Sequence, residues 1–266
     1  ANLWLTYHSY YKAPDLLGPE CSRRLRLPYT IFQGIYSTKR RKRWQTWAGF
    51  ALNRRALLAA DHVFTNRKED FVNLSRIVPE ESLTYVVPGI LPVQFSFDAG
   101  FRKQLRQEWD ITEGVVVLTA AMFRPGVKRD GLSWVIRSCG ELFRQNVPLY
   151  LVIAGEGKEE RHLRQLADSY LPGRVRFLGK VAREEMYRFY SAGDLFVFPG
   201  IRESLGMVFL EAQSCGLPVV AFADGGVPEV VANGVCGYLV RPFDAGEFNE
   251  AIVRLLADQV LRKRMG

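Results

Sequence analysis

The stretch DLFVFPGIRESLGMVFLEAQSCGLPVVAF, residues 194–222, decides the fold class of this 266-residue chain. Two apolar runs, 195–198 and 218–222, are typical of strands that are buried on both faces of a sheet. Between them, residues 206–215 carry apolar side chains at helical spacing, and a Gly-Leu-Pro turn separates this helix from the second strand. A strand, a helix and a strand in this order predict two parallel strands joined by a helix.

The same alternation extends from Gly114 towards the end of the chain. The further predicted strands are 115–121, 149–154 and 175–178. The further predicted helices are 130–145, 158–170, 183–192, 226–233 and 245–258. This pattern predicts a doubly wound, Rossmann-type α/β domain with helices on both faces of a parallel sheet.

The first 95 residues show a less regular version of this pattern. Strand-like runs occur at 2–7, 28–33, 62–65 and 83–87, with helices near 14–26, 43–60 and 67–76. They predict the later half of a second doubly wound domain. The Pro-rich stretch 87–92, followed by a polar helix at 98–108, is the predicted linker. We therefore predict an incomplete N-terminal domain over residues 1–96 and a C-terminal domain over residues 97–266.

Composition is that of a soluble globular chain, with 48% hydrophobic and 24% charged residues. The longest uncharged stretch, 82–97, is only 16 residues long and contains two prolines, so it does not predict a membrane-spanning helix. No cationic segment followed by an apolar run opens the chain, which argues against a signal peptide. The first residue is Ala1 rather than Met, so we expect that an upstream part is missing.

Cysteine and histidine spacing indicates reduced thiols and no metal site. The four cysteines include no C-x-x-C pair, as expected of a cytoplasmic protein, and the three histidines lack metal-ligand spacing.

Positive charge is concentrated in the first third of the chain. Residues 1–95 hold 14 Lys and Arg against 7 Asp and Glu, and the cluster Lys39–Arg43 is followed by Trp44 and Trp47. The cluster is either a solvated start of a helix or a contact with the anionic inner face of a membrane, since basic residues with nearby Trp are typical of interfacial helices. Nothing else in the chain resembles a nucleic-acid module, so no nucleic acid is predicted as partner.

The loop at residues 199–206 follows the 195–198 strand, and open parallel sheets bind ligands at the carboxyl ends of strands. Gly206 at the helix entrance lets a ligand approach the backbone closely. The N–H groups of Gly206, Met207 and Val208 lie at the positive end of the helix dipole. They therefore suit a phosphate or diphosphate.

Two carboxylates, Glu203 and Glu211, flank this candidate anion site. They suit an anion with a polyol on each side, because carboxylates accept hydrogen bonds from vicinal hydroxyls. A diphosphate between a sugar and a ribose has that form. In the alternative interpretation, Glu203 is an acid at a helix N-terminus and Glu211 is an exposed helix residue.

Residues 203–212, ESLGMVFLEA, resemble the E-x7-E signature of the retaining family 4 glycosyltransferases, which have the GT-B fold of two Rossmann-like domains. The segments that continue this resemblance are 194–199, 216–221, 225–230 and 237–240. Weaker similarity occurs at 175–179, 153–157, 61–65 and 86–90. The resemblance therefore covers nearly the whole chain, although the first 60 residues match loosely.

The resemblance implies roles for the site residues. Glu211 would hold the ribose hydroxyls of the nucleotide, and Glu203 would hold hydroxyls of the donor sugar. The further donor-binding residues that it implies are Ser204, Leu205, Gly206, Met207, Val208 and Gly155.

Family members also use an Arg and a Lys, after the first strand of the second domain, to neutralise the diphosphate. Lys128 matches the Lys, with a solvated loop lysine as the alternative. The Arg position corresponds to Met122, and Arg124 lies two residues later. Either Arg124 reaches the phosphates from a shifted loop or one cation is lost. Glu203, Lys128 and Arg124 form the predicted catalytic set.

The function that the resemblance implies is that of a metal-independent, retaining hexosyltransferase of polysaccharide biosynthesis. It would move a sugar from a nucleotide diphosphate-sugar to a glycan or lipid-linked glycan of the cell envelope. The chain has no D-x-D string, the usual handle for a metal-held nucleotide sugar in the other large glycosyltransferase fold. We therefore expect no metal and no cofactor. The rival functions are a nucleotide-sugar epimerase or hydrolase and a non-enzymatic or truncated nucleotide-sugar-binding module.

The first domain departs from the family pattern. A family histidine often follows the strand and turn at 28–34, where this chain has Gln33, and His8 follows another predicted strand. His8 either faces the acceptor side or is an ordinary hydrogen-bonded histidine. Because only the later strands of this domain are present, we expect an uncovered edge and apolar face there. We also expect donor binding without sugar transfer by this chain alone.

Overall fold

The computed structural model describes residues 2–41, 44–111 and 113–266, without the side chain of Arg40. The chain forms two compact units, Ala1–Pro88 and Gly89–Gly266. The predicted boundary, between residues 96 and 97, lies a few residues further along the chain.

The first unit is a parallel sheet in the order β1-β2-β3-β4. Its strands are β1 (Trp4–Ser9), β2 (Tyr29–Gly34), β3 (His62–Thr65) and β4 (Leu83–Tyr85). Its helices are α1 (Gly18–Leu25), α2 (Trp44–Ala59) and α3 (Lys68–Leu74). Each element lies close to the position that the sequence predicts.

Side chains of the first sheet alternate between a buried and an open face. Tyr29, Ile31 and Val63 are buried in the core with residues of the helices. The alternate residues of β1 point the other way, where Leu5 is 58% exposed and Tyr7 is 69% exposed. β1 is also an edge strand. Within the described residues, β1 is thus an edge strand whose outward face carries exposed apolar side chains.

The second unit contains a six-stranded parallel sheet in the order β10-β9-β8-β5-β6-β7. Its strands are β5 (Val115–Ala120), β6 (Leu149–Ala154), β7 (Val175–Gly179), β8 (Leu195–Val197), β9 (Val219–Phe222) and β10 (Gly237–Val240). Its helices are α4 (Ala99–Glu108), α5 (Val127–Arg144), α6 (Glu160–Tyr170), α7 (Met186–Ser191), α8 (Met207–Ser214), α9 (Ala245–Ala257) and α10 (Gln259–Met265). This is the predicted doubly wound α/β architecture.

One predicted helix, 226–233, is wrong. Only a single 3₁₀ turn, Val227–Glu229, forms there. The backbone before this turn packs against another loop, with the amide of Gly226 bonded to the carbonyl of Glu203. After the turn, Asn233 forms a β-bridge with Gly237, where β10 begins. The segment between these two contacts therefore turns back on itself instead of continuing as an α-helix.

The strand order reverses direction between β5 and β8. From β5 the chain adds β6 and β7 on one side, and then returns to add β8, β9 and β10 on the other. Such a switch point leaves a crevice at the carboxyl ends of the two central strands, where open α/β sheets bind ligands. The loops after β5 and β8 therefore mark the place of the candidate site.

Candidate functional site

The loop after β8, residues 199–206, is hereafter the donor loop, and it turns through three left-handed residues. Gly200, Arg202 and Gly206 have φ angles of 70°, 51° and 72°. A Cβ atom on Gly206 would lie 2.4 Å from the ring of Phe209, so both the backbone angle and the space require glycine. Gly206 is the N-cap of α8, whose first N–H groups lack partners within the helix. This end of α8 can accept an anion.

The loop after β9 supports the donor loop from the side. The amide of Gly226 donates to the carbonyl oxygen of Glu203 at 2.9 Å. The amide of Arg202 donates to Oδ2 of Asp224 at 2.8 Å. A Cβ on Gly226 would lie 1.8 Å from the carbonyl oxygen of Ser204, so the two loops touch through their backbones. Sequence reasoning gave no role to Asp224 and Gly226, although the Gly-Gly pair was a visible signal.

Lys128 and Glu203 form an ion pair across the switch point. Their side chains are 28% and 20% exposed, and Lys128 Nζ also lies 5.3 Å from the ring centroid of Phe198. Lys128 belongs to the first turn of α5, so the alternative of a solvated loop lysine is wrong. The fold therefore brings together two residues of the predicted catalytic set.

Arg124 is exposed on the loop that precedes α5. Its Nη2 atom is 2.7 Å from Sδ of Met122. Met122 holds the position at which the resemblance expects an arginine. The guanidinium of Arg124 thus folds back against the residue that replaces the expected cation.

Glu211 is buried on α8, with a side chain only 6% exposed. Its Oε2 atom accepts a hydrogen bond of 3.0 Å from the hydroxyl of Tyr190, and its Oε1 atom lies 3.4 Å from Nη1 of Arg183. The alternative that Glu211 is an exposed helix residue is therefore wrong. Sequence reasoning missed Tyr190 and Arg183, because their contact with Glu211 arises only when α7 packs against α8.

Burial is the main cause of a strongly raised pKa at Tyr190, and the negative charge of Glu211 adds to it. The phenol therefore stays protonated and is the donor in its hydrogen bond with Glu211. The thiol of Cys215 lies in the same region, and burial together with the charge of Glu211 raises its pKa to about 12.

Gly155 follows β6 and lies against the loop after β5. With a φ of 147°, it packs so closely that a Cβ would lie 2.0 Å from the carbonyl oxygen of Ala121. Gly157 approaches the carbonyl of Phe123 in the same way, at 2.5 Å. These glycines hold the segment that leads to Lys128.

The carboxyl edge of the first sheet carries the two polar residues discussed from the sequence. His8 and Gln33 have left-handed backbones, with φ angles of 66° and 58°. They lie next to one another, because Tyr7 pairs with Phe32 in the parallel ladder. The side-chain amide of Gln33 donates to Oδ1 of Asn66 at 3.2 Å.

Within residues 2–41, 44–111 and 113–266, no three His, Cys, Asp or Glu side chains are grouped so that they could hold a metal ion. Over the same ranges, no helix has the length and apolar character needed to cross a membrane.

The second unit is thus a Rossmann-type α/β domain with a glycine-capped helix and an ion pair at its switch point, the place where open α/β sheets bind ligands. The model of the family "Glycosyl transferases group 1" matches residues 102–266, which is more than half of the chain. The chain belongs to this family.

Two curated relatives illustrate this membership. The GDP-mannose-dependent alpha-(1-6)-phosphatidylinositol monomannoside mannosyltransferase of Mycolicibacterium smegmatis is 32% identical over 196 residues, which are 71% of this chain and 50% of the relative. The D-inositol 3-phosphate glycosyltransferase of Pseudarthrobacter chlorophenolicus is 34% identical over 177 residues, which are 64% of this chain and 41% of the relative. The chain thus spans half or less of these two relatives.

Solved structures share the fold. The crystal structure of Anabaena HepE in complex with UDP matches with a TM-score of 0.81 and 22% identity, over 98% of this chain and 71% of that chain. WaaG, a glycosyltransferase involved in lipopolysaccharide biosynthesis, matches with a TM-score of 0.69 and 22% identity, over 89% of this chain and 68% of that chain. The predicted GT-B type of fold is therefore confirmed.

Proposed function

We propose that this chain provides the donor site of a retaining, metal-independent glycosyltransferase that takes its sugar from a nucleoside diphosphate sugar. The observation that carries the proposal is the placement of Glu203 and Glu211 around the glycine-capped start of α8, with Lys128 across the switch point. Glu211 would accept from the ribose hydroxyls and Glu203 from the donor sugar. The start of α8 and Lys128 would face the diphosphate between them.

The chemistry follows from where charge develops. As the bond between the sugar's anomeric carbon and the phosphate oxygen breaks, negative charge grows on the leaving diphosphate. Lys128, Arg124 and the amides at Gly206–Val208 would stabilise that charge, and one preorganised donor at such a place is worth about 3–4 kcal/mol. The acceptor oxygen bonds to the same face of the anomeric carbon, and its proton passes to the leaving phosphate oxygen. This route retains the configuration of the sugar.

The substrates are proposed from the names of the relatives. Curated relatives are named for GDP-mannose and for phosphatidylinositol mannoside acceptors, and solved structures of the same fold contain UDP or UDP-glucose. We propose a UDP- or GDP-sugar as donor and a glycan or lipid-linked glycan as acceptor, with no additional cofactor. Titration with a panel of UDP-, GDP- and ADP-sugars identifies the donor.

Two carboxylate variants test the assignment by calorimetry. Glu211→Gln should weaken the binding of UDP or GDP and of the matching sugar nucleotide alike, by about tenfold or more. The reason is that a hydrogen bond to a charged group is worth about 1.5–3 kcal/mol. Glu203→Gln should weaken the binding of the sugar nucleotide and leave the affinity for the free nucleoside diphosphate largely unchanged. Glu250→Gln, on the exposed side of α9, is the control. Equal losses for both ligands in both variants would contradict the separate roles.

An assay with nucleotide sugar, with and without acceptor, separates the proposed transferase from the hydrolase and the epimerase. We expect the 266-residue chain to bind donor without turnover. Release of free sugar without an acceptor would favour a hydrolase, and a change in the sugar's configuration would favour an epimerase. Sugar transfer by this chain alone would contradict the expectation that it does not act unaided.

We also propose contact of the first unit with an anionic membrane surface. Trp44 and Trp47, three residues apart on α2, are 86% and 58% exposed, and Lys39 and Arg41 are exposed before them. Lys42, Arg43 and the side chain of Arg40 lie outside the described residues, so the predicted cluster Lys39–Arg43 is supported only at its described members. Exposed Trp beside basic residues is typical of interfacial helices, and each basic residue near such a surface contributes about 1 kcal/mol.

Vesicle sedimentation tests this contact. Vesicles with acidic lipid should bind the protein and release it as salt increases, whereas zwitterionic vesicles should not bind it. The double variant Trp44→Ser, Trp47→Ser should weaken binding, and Val260→Ser, at an exposed apolar residue of the second unit, is the control. Binding that does not depend on salt would contradict the proposal.

A further inference from the structure

The buried Tyr190 is hydrogen-bonded to the carboxylate of Glu211. Tyr190 lies on α7 and is fully buried, and its hydroxyl donates to Oε2 of Glu211 at 3.0 Å. Aromatic neighbours fix the ring, with Phe189 at 5.4 Å and Phe196 edge-on at 5.7 Å between ring centroids. The position of the hydroxyl is thus set by the core of the second unit.

The two oxygens of Glu211 face different surroundings. Oε2 meets the buried Tyr190, whereas Oε1 meets Arg183, whose side chain is 68% exposed. The guanidinium of Arg183 also lies 5.6 Å from the ring centroid of Phe95. A ligand that approaches from solvent therefore meets Oε1 after displacing an exposed side chain, while Oε2 stays bonded in the core.

We propose that Tyr190 is a positioning residue, which fixes Oε2 of Glu211 so that Oε1 is presented to the ribose diol of the nucleotide. This inference rests on the proposed function of Glu211. The terminal torsion of a glutamate is broad, so an unheld carboxylate can turn. Without the phenol, both oxygens can turn towards Arg183, and the ribose then competes with a fully paired carboxylate. Recognition of the 2′- and 3′-hydroxyls therefore depends on a residue that does not touch the ligand.

The test compares ribose with dideoxyribose. Calorimetry is done with UDP and GDP and with their 2′,3′-dideoxy analogues, for the unaltered chain and for Tyr190→Phe. The variant should lose about two- to twelvefold in affinity for the ribonucleotide, the factor that corresponds to a hydrogen bond of about 0.5–1.5 kcal/mol. Affinity for the dideoxy analogue should not change. A merely structural defect would weaken both ligands equally, and that result would overturn the proposal, as would an unchanged or increased ribonucleotide affinity.

A matched control is Tyr29→Phe in the first unit. Tyr29 is also buried, and its hydroxyl likewise donates to a carboxylate, at 2.8 Å from Asp15. Tyr29→Phe should leave the preference for ribose over dideoxyribose unchanged.

Two further variants keep the outcomes distinguishable. If Glu211→Gln leaves ribonucleotide affinity unchanged, the proposed function itself fails. If Glu211→Gln removes the ribose preference and Tyr190→Phe does not, only the positioning role fails. Arg183→Gln, at a position whose side chain is 68% exposed, should keep the ribose preference because Tyr190 still holds Oε2. Loss of the preference in Arg183→Gln would assign the orientation to Arg183 and overturn the proposal even if Tyr190→Phe does not fold.

Discussion

Lys128 forms an ion pair with Glu203, a residue 75 positions further along the chain. The contact links the first turn of α5 to the donor loop across the switch point of the sheet. In this state the positive charge proposed for the diphosphate is already paired with the carboxylate proposed for the sugar. A diphosphate that enters the site offers Lys128 a second, doubly charged partner.

Lys128→Ala should therefore weaken the binding of UDP or GDP by about tenfold or more. This factor is the equivalent of ~1.5–3 kcal/mol for a hydrogen bond to a charged group. Binding of uridine or guanosine, which carry no phosphate, should be unchanged. Lys103→Ala, an exposed position on α4, is the control. Calorimetry with both kinds of ligand measures the two affinities. An equal loss of affinity for nucleoside and nucleotide would show that Lys128 stabilises the fold and does not bind the phosphates.

Arg124 should supply part of the charge that the residue at position 122 lacks. Its guanidinium contacts the sulfur of Met122, so Arg124→Ala should lower nucleoside diphosphate affinity by up to about fivefold, as expected for an exposed charge worth ~0.2–1 kcal/mol. The double variant Met122→Arg, Arg124→Ala should restore it. Both effects should fade at high salt. If Arg124→Ala has no effect at low salt, the second cation is absent from this chain.

Gly226→Ala should displace the donor loop. The new methyl group would lie 1.8 Å from the carbonyl oxygen of Ser204, so the backbone must move. We expect weaker binding of sugar nucleotides and a loss of about 1–3 kcal/mol in stability, the usual cost of overpacking. Gly89→Ala is the matched control, since a Cβ there meets nothing within 4 Å. Binding by Gly226→Ala at the unaltered affinity would contradict a supporting role for the loop after β9.

Asp194→Asn should destabilise the second unit. Asp194 accepts hydrogen bonds of 2.6 Å from both Arg102 and Arg106, and one of 2.7 Å from the amide of Val116. Breaking such a buried pair costs about 3–5 kcal/mol. Urea unfolding at pH 7 measures the deficit, with Asp168→Asn on the exposed side of α6 as control.

The loss of stability caused by Asp194→Asn should depend on pH. Burial opposes ionisation of Asp194, but the charge of Arg106, the amide of Val116 and Arg102 outweigh it, so the pKa lies below its ordinary 3.8. A carboxylate with a lowered pKa in the folded state contributes stability that is complete above its unfolded pKa and is lost as pH falls through the folded value. The difference between Asp194→Asn and the unaltered chain should therefore shrink below about pH 4. A constant difference down to pH 2 would contradict the ion-pair account.

The fold could be predicted from the sequence wherever strands are buried on both faces. β5 (VVVLTA) and β6 (LYLVIA) are rich in Val, Leu and Ile, and their bounds agree with the prediction to within a residue. β10 was not predicted as a strand, because it lies at the edge of the sheet and only Gly237 and Val240 are buried. The predicted helix at 226–233 failed because apolar spacing cannot reveal that Gly226 is bonded to a distant loop.

The site could be predicted only in part. Glu203, Glu211 and Lys128 stand out because their residue types follow strands in a pattern that resembles a known family. The partners Tyr190 and Arg183 could not be predicted, since their contacts with Glu211 depend on how α7 packs against α8 rather than on any spacing along one helix. Arg183 sits in the 3₁₀ turn just before α7, where no periodic pattern marks it.

Glu211 also has a consequence for how this sequence can change. Its carboxylate is buried on α8 between the apolar residues Leu210 and Ala212 along the chain, and burying a charge costs free energy even when it is paired. A glutamine there would still accept the hydrogen bond of Tyr190 without the buried charge and should be at least as stable, so a search for thermostable variants of this protein would be expected to select glutamine at position 211. Such variants would lose the proposed ribose contact. The carboxylate is thus a trade-off between thermal stability and ligand recognition, and stability alone gives no reason to keep it.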